Sequence, residues 1–113
     1  MKENKLISYI GFAIKSGKVI FGYDNLFKAK KMPYAIVYCH TLSEKMKNKL
    51  ELFANLKKIK LIPLENFILS DIIKRDNCKV LGICDENLAK VINTEIDDLN
   101  NKIEQSSEVN IGK

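Results

Sequence analysis

The sequence contains few residues of the kinds that build metal centres and catalytic sites. It has one histidine and three cysteines among 113 residues. A zinc site needs three or four ligands. Cys39 and His40 are neighbours at the end of a predicted strand, so they face opposite sides and cannot form a nucleophile–base pair without distortion. No paired carboxylates stand at helical spacing in the predicted core. We therefore expect no catalytic residues, no metal site and no cofactor.

The glycine patterns of nucleotide-binding loops are also missing. Gly11 followed by Gly17 and Lys18 has a spacing one residue too long for a phosphate-binding loop, and Val19 stands where Ser or Thr is needed. The segment also runs from helix to strand, the reverse of the order that such a loop requires. A dinucleotide-binding glycine fingerprint does not occur either. The sequence thus argues against a nucleotide-binding enzyme.

Long apolar runs are absent, and cysteine is odd in number. No run is long enough to span a bilayer, and the first residues lead directly into a polar-faced helix, without the features of a signal peptide. Cys39, Cys78 and Cys84 are expected to be free thiols in a reducing compartment rather than a disulfide framework. These features predict a cytoplasmic protein that does not associate with membranes.

The charge is unevenly distributed. The formal net charge is +5. From Thr94 onward there are five acidic residues and two lysines, which give −3, so residues 1–93 carry +8. A basic body with an acidic tail suits a polyanionic partner such as RNA or DNA. Solvated helix faces account equally well for many of these lysines.

Apolar periodicity predicts strands that alternate with helices. The predicted helices cover about residues 3–16, 24–31, 66–74 and 85–92, with a further helix that begins after Thr41 or Ser43. The predicted strands are 18–21, 34–39, 58–64 and 79–84. The last is almost entirely apolar and is expected to be central, whereas Pro63 marks an end or an edge. This order predicts an α/β fold, a three-layer α/β/α sandwich around a four-stranded mixed sheet.

The predicted domain covers residues 1–93, and residues 94–113 form an acidic, helical C-terminal extension with a frayed tail from Ser106. The pair Asn93 and Thr94 either interrupts the last helix or lies within it. Ile96, Leu99 and Ile103 continue the apolar spacing, so this stripe packs on the domain's own helices or on a second copy. The chain is accordingly expected to be a monomer, or a weak homodimer through this helix.

The stretch that begins at Gly17 reads as a helix stop, a short strand, a glycine turn and a new helix. Gly17 can adopt the left-handed conformation that ends a helix, and Gly22 permits a tight turn and close approach by a ligand. Asp24 or Asn25 can cap the next helix, and Lys28 adds positive charge one turn later. The pattern is typical either of an ordinary connection or of a site for an anion or a base edge.

Four segments resemble one known family. They are IGFAIKSGK at residues 10–18, GYDNLFKA at 22–29, AIVYC at 35–39 and VLGICD at 80–85. Together they resemble the ribosomal protein L-seven-Ae and L-thirty-e superfamily of kink-turn RNA-binding proteins, and its small bacterial members in particular. The resemblance covers about residues 4–93. It implies a non-enzymatic, ribosome-associated protein that binds a kinked, structured RNA.

The resemblance also implies which residues bind the RNA. In that family the turn after the first strand reads the base edges of sheared G·A pairs and meets the phosphate backbone, and a segment after the third strand packs on the bent RNA. RNA specificity of this kind comes from distorted, unstacked places. Carried over by position, the implied binding residues are Gly22, Tyr23, Asp24, Asn25, Lys28, Lys31, Ser70, Asp71, Ile72 and Ile73.

Two departures, at three positions, set this chain apart from the family pattern. The carboxylate of Asp24 has no hydrogen-bond donor, so either Asn25 supplies the donor or Asp24 accepts from a guanine amino group. Ser70 and Lys74 replace two glycines that are usual in the second segment. The alternative function is therefore the same fold without kink-turn binding, acting as a protein-interaction module through its acidic C-terminal helix.

Overall fold

The computed structural model describes residues 5–65 and 67–112, with side chains as far as residue 101. Helices and strands alternate as predicted, apart from shifts at their ends. The elements are α1 (Leu6–Lys15), β1 (Val19–Phe21), α2 (Gly22–Lys28), β2 (Ala35–Cys39), α3 (Glu44–Lys57), β3 (Lys60–Leu64), α4 (Leu69–Ile73), β4 (Val80–Ile83) and α5 (Glu86–Gly112).

The four strands form one mixed sheet in the order β1-β4-β2-β3. β4 is antiparallel to both β1 and β2, and β2 is parallel to β3. The predicted central position of the apolar strand β4 is confirmed, as is the edge position of the strand that contains Pro63. The chain direction of β1, β2 and β3 is the same, so these three strands end along one side of the sheet. We call this side the carboxyl edge, which is distinct from the edge strands β1 and β3. The three strands begin at the opposite side, the amino edge.

Side chains alternate across the sheet and make two cores. One core lies between the sheet and α1, α4 and α5, and the other lies between the sheet and α2 and α3. The first contains Leu6, Ile10, Val37, Ile62, Leu81, Ile83 and Ile92, and the second contains Leu26, Ile36, Leu50, Ala54 and Val80. The predicted three-layer α/β/α sandwich is thus confirmed.

Gly82 allows α2 to lie close to the sheet. A Cβ atom at this position would lie 3.1 Å from Cδ1 of Leu26 and 3.3 Å from Cβ of Pro33. Such contacts are tighter than ordinary van der Waals packing. The absence of a side chain at Gly82 therefore fixes how closely the segment from α2 to β2 approaches β4.

Two helices begin at a side-chain cap. The Ser43 hydroxyl accepts a hydrogen bond from the Met46 backbone N–H at 3.3 Å and begins α3. The Asp85 carboxylate accepts from the Leu88 N–H at 2.9 Å and begins α5. Gly17 has a φ of 71° and follows the end of α1 as expected.

The predicted start of α2 is wrong. The helix begins at Gly22 rather than Asp24, its N-cap is Phe21, and no side chain caps it. Asn25 is not a cap because its side-chain amide donates back to the Phe21 carbonyl oxygen at 2.9 Å. The helix also ends at Lys28, three residues before the predicted end at Lys31.

The predicted extent of α4 is also wrong. It begins at Leu69 instead of Asn66, a residue that lies outside the described part of the chain. Ile68, within the predicted helix, instead precedes α4 and is 39% exposed. Its backbone is extended there, so it does not share the helical face of Leu69 and Ile73, which are buried.

The C-terminal helix passes through Asn93 and Thr94 without a break. Ile96 is fully buried in the first core, and the side-chain amide of Asn100 donates to the Pro63 carbonyl oxygen at 3.3 Å. The predicted boundary after residue 93 therefore falls inside a helix that packs on the domain. Its helical backbone extends to Gly112, past the position where a frayed tail was expected. The side chain of Ile103 lies outside the described residues.

Candidate nucleic-acid interface

The carboxyl edge brings together segments that are far apart in the sequence. Gly22 follows β1 directly, the turn before α3 follows β2, and residues 74–79 lead into β4. Because β1 and β2 both pair with β4, Phe21 lies opposite Leu81 and Tyr38 lies opposite Val80. The start of α2 and the segment before β4 are thereby neighbours at this edge, where open α/β sheets commonly bind ligands.

Gly22 makes the turn from β1 into α2. Its φ of 80° lies in the left-handed region that favours glycine. Asp24 and Asn25 follow on the first turn and are exposed, and Lys28 is exposed in the last turn. One N–H of the Asn25 amide is used by the Phe21 carbonyl. The other N–H and the amide oxygen remain able to meet a ligand.

Arg75 connects this turn to the segment after α4. Its guanidinium carbon lies 4.1 Å from the centre of the Phe21 ring. This is a cation–π geometry, and the planar guanidinium stacks there while its N–H groups stay free for other acceptors. We call Asp24, Asn25 and Arg75 together the turn surface, and Lys28 lies one helical turn beyond Asp24 on α2. The turn after β1 and the residue directly after the second implied segment thus meet at Phe21.

The residues predicted from the second segment are placed less uniformly. The Ser70 hydroxyl donates to the Cys78 carbonyl oxygen at 3.1 Å and so holds α4 to the chain before β4. Asp71 is exposed and Ile72 is half-buried. Ile73 is 9% exposed and packs in the first core, so its side chain does not reach the turn surface. Lys74 has a φ of 56°, the left-handed conformation in which the family has glycine.

Lys31 lies away from the turn surface. It follows the C-terminal end of α2, and the chain then crosses to β2 at the amino edge. Seven helical residues separate the two ends of α2 by about 10 Å. Of the ten residues implied by the resemblance, Lys31 is therefore at the opposite end of the helix from Gly22, and Ile73 is in the core.

A small cleft opens beside the turn surface. It has a volume of about 230 Å³ and is lined by Tyr23, Leu42, Ser43, Met46, Asn77 and Lys79. The Lys79 ammonium donates to the Thr41 carbonyl oxygen at 3.3 Å and so links the two chain segments at its rim. The cleft combines an aromatic ring and apolar side chains with polar groups, a composition that suits a planar heterocyclic base.

The cysteines do not converge. Cys39 ends β2 and Cys84 follows β4, and because these strands are antiparallel the two residues lie at opposite edges of the sheet. All three cysteines are free thiols. Within the described residues there is no group of three or more His, Cys, Asp or Glu side chains that could hold a metal ion.

The pKa values of the two cysteines at the sheet edges are shifted in opposite directions. Burial raises the pKa of the Cys84 thiol, and the positive charges of Lys31 and Lys18 offset part of that effect. Burial alone would also raise the pKa of Cys39. Hydrogen bonds from Thr41 and the backbone of Leu69, with the charge of Lys79, outweigh it and lower that pKa.

Sequence reasoning missed Arg75, although one signal was available. It is the only arginine among 19 basic Lys and Arg residues. Arginine stacks on aromatic rings and presents a planar set of donors in a way that lysine does not. A single arginine in a lysine-rich chain is therefore a candidate for a role that needs the planar group. Asn77 and Lys79, at the rim of the cleft, carried no comparable signal.

An apolar groove lies on the other face of α2. It is lined by Phe27, Lys49, Leu52, Phe53 and Leu56. The Phe27 and Phe53 ring centres are 5.0 Å apart, and Leu52 and Leu56 are 63% and 74% exposed. The groove is an exposed hydrophobic feature between α2 and α3.

Among the described residues, no helix has both the length and the apolar character needed to cross a membrane.

Comparison with known proteins shows the fold. No protein-family model matches the chain, and no curated protein matches it. A solved structure of a protein with unknown function from Bacillus halodurans is similar, with a TM-score of 0.75 and 20% sequence identity. The match covers 84% of this chain and 99% of that one. At this identity the match shows that the two proteins share a fold.

Proposed function

We propose that this chain is a non-enzymatic RNA-binding protein that recognises a kinked, structured RNA through the turn surface. The observation that carries the proposal is the connection through Phe21. Its carbonyl oxygen accepts from Asn25, and its ring lies under Arg75. An amide from one chain segment and a guanidinium from another are thus held at one residue. In this reading the protein belongs to the superfamily it resembles, is cytoplasmic and is associated with the ribosome.

The chemistry of the turn surface favours base edges over a general polyanion. Asn25 offers both a donor and an acceptor, Asp24 offers only acceptors, and Arg75 offers only donors. The presence of Asp24 weakens attraction to phosphate at this place. A guanine amino group can donate to Asp24 when the base pair is sheared and its edge is open. Such edges are accessible in distorted RNA and hidden in a regular A-form helix.

The cleft beside the turn surface supports the same proposal. A kink displaces at least one base from the stack, and an unstacked base needs a partly apolar place to lie. Tyr23 and Met46 supply apolar walls, and Asn77 and Lys79 supply polar groups at the rim. Stacking of a base on an aromatic side chain contributes about 1–3 kcal/mol.

The second candidate is a protein-interaction module with the same fold. The exposed groove formed by Leu52, Leu56 and Phe27 favours it, because a contiguous apolar surface is typical of an interaction site. This function would leave the turn surface without a ligand. The two candidates therefore differ in whether a kinked RNA binds at all.

A titration with two RNAs of equal length tests the proposal. One contains a kink-turn and the other is a fully paired duplex. We expect tighter binding to the kinked RNA, and we expect Lys28→Ala to lower the salt dependence by about one unit of slope, since one phosphate contact is lost. Lys57→Ala is the matched charge control, because Lys57 is an exposed lysine at the end of α3. Equal affinity for both RNAs would rule out specific recognition.

A further inference from the structure

Three chain segments meet at the amino edge, at the far end of α2 from the turn surface. The Cys84 backbone N–H donates to the Lys18 carbonyl oxygen at 2.8 Å, where β4 ends beside the start of β1. The Tyr34 N–H donates to the Ile83 carbonyl oxygen at 2.8 Å, where the chain from α2 enters β2. Lys18 and the segment that carries Lys30 and Lys31 are therefore on either side of the end of β4.

These three lysines form a positive cluster around the end of β4. Lys18, Lys30 and Lys31 are exposed, and none of them takes part in an ion pair within the part of the chain whose side chains are described. The positive charges of Lys18 and Lys31 both oppose the rise that burial produces in the pKa of the Cys84 thiol, in agreement with their places on either side of the end of β4.

The acidic side chains closest in sequence to Cys84 are already engaged. The Asp85 carboxylate accepts from the Leu88 N–H and caps α5. Glu86 lies 3.8 Å from the Lys90 ammonium, in an i,i+4 pair on α5. Both carboxylates keep their charge in these contacts and offset part of the positive charge of the lysines. The lysines still repel one another, and an external anion relieves that repulsion.

We propose that Lys18, Lys30 and Lys31 form a second contact surface, which binds the phosphate backbone of a double-helical stem adjoining the kink. The proposal rests on the function proposed above. α2 runs from the turn surface to these lysines over about 10 Å, and exposed Lys28 lies in its last turn. A stem that leaves the turn surface along α2 places its backbone over the cluster. Contacts of this kind position the RNA without reading its sequence.

Stem length provides the test. Two kinked RNAs are compared, one with a short stem and one with the same stem extended by a helical turn. The wild-type protein is expected to bind the longer RNA more tightly and with a steeper salt dependence. The double variant Lys18→Gln/Lys31→Gln should lose this gain and lower the slope by about two units on the longer RNA. Lys49→Gln/Lys57→Gln removes the same charge from exposed positions on α3 and should keep the gain.

Cys84 reports on the cluster without any lysine substitution. It is partly exposed, whereas Cys39 and Cys78 are buried. Alkylation of Cys84 in the wild-type protein should be slowed by the long-stem RNA and not by the short-stem RNA. Equal rates with both RNAs, or a stem-length gain that survives Lys18→Gln/Lys31→Gln, would overturn the second surface.

The two proposals fail in different ways. A preference for kinked RNA without any effect of stem length would remove only the second surface. Equal affinity for kinked RNA and duplex, with a slope that still depends on Lys18 and Lys31, would remove kink recognition and leave the lysine cluster as a backbone-binding surface.

Discussion

The guanidinium of Arg75 lies 4.1 Å above the centre of the Phe21 ring. This contact joins the end of β1, where the chain turns into α2, to the segment that follows α4. Phe21 is the last residue of β1, so the position of its ring is set by the sheet, where it lies opposite Leu81. Asn25 contacts the same residue, because its side-chain amide donates to the Phe21 carbonyl oxygen.

Replacing Arg75 with lysine should weaken binding of a kinked RNA although the net charge is unchanged. Lysine lacks the planar guanidinium that both stacks on Phe21 and presents several donors. An exposed cation–π contact contributes about 0.5–1 kcal/mol, which corresponds to roughly two- to fivefold in affinity. A binding titration checks this, with Lys57→Arg as the control for lysine–arginine exchange. Wild-type affinity in Arg75→Lys would mean that Arg75 acts only through its charge.

Asp24→Asn should strengthen binding if Asp24 occupies a base-reading position. The change removes a negative charge close to phosphate and adds a donor, and a good base contact is worth roughly 1–3 kcal/mol. The same titration should show that Asn25→Ala reduces the preference for kinked RNA over duplex, because it removes a base-reading group and the bond to Phe21. Weaker binding by Asp24→Asn would identify the carboxylate as a required acceptor.

Gly82→Ala should lower the free energy of unfolding by about 1–3 kcal/mol, because the new methyl group would crowd Leu26 and Pro33. Gly11→Ala is the matched control. Gly11 lies within α1 with no atom within 4 Å of the added methyl group, so this change should stabilise the protein by roughly 0.5–1 kcal/mol. Denaturant unfolding of both variants measures the difference. Equal free energies of unfolding for Gly82→Ala and Gly11→Ala would show that α2 can move away from the sheet at no cost.

Ile96→Ala should destabilise the protein by about 2–5 kcal/mol, since the side chain is fully buried in the first core. Asp97 is the next residue and is exposed, so Asp97→Ala should change the free energy of unfolding by no more than about 0.5 kcal/mol. Thermal melts at several protein concentrations show whether the apolar stripe of this helix packs within the chain or against a second copy. A loss that depends on concentration would indicate that this stripe is covered by a second copy.

Most of the fold could be predicted from the sequence because its signals are local. The almost wholly apolar residues of β4 indicate a strand buried on both faces, and Pro63 indicates an edge. Ser43 and Asp85 are side chains that begin helices by their own hydrogen bonds. The α2 boundary was harder to predict because Asn25 bonds backward to Phe21, which competes with its use as a cap.

The site was only partly predictable because its geometry depends on strand order. The chain itself indicated the turn at Gly22 and the polar residues after it. The pairing of Arg75 with Phe21, and the separation of Lys31 from Gly22, follow from the placement of β4 between β1 and β2. No local pattern specifies that order. For the same reason Ile73, an apolar residue expected on the RNA-binding surface, lies in the core.

An NMR titration with the kinked RNA tests the central claim most directly, because it locates the bound RNA on the protein. The backbone amide shifts should change most at Gly22–Lys28 and around Arg75, and the equally long duplex should not reproduce the pattern. Changes confined to α3 around Leu52 and Leu56, or the same weak changes with both RNAs, would contradict recognition of kinked RNA by the turn surface.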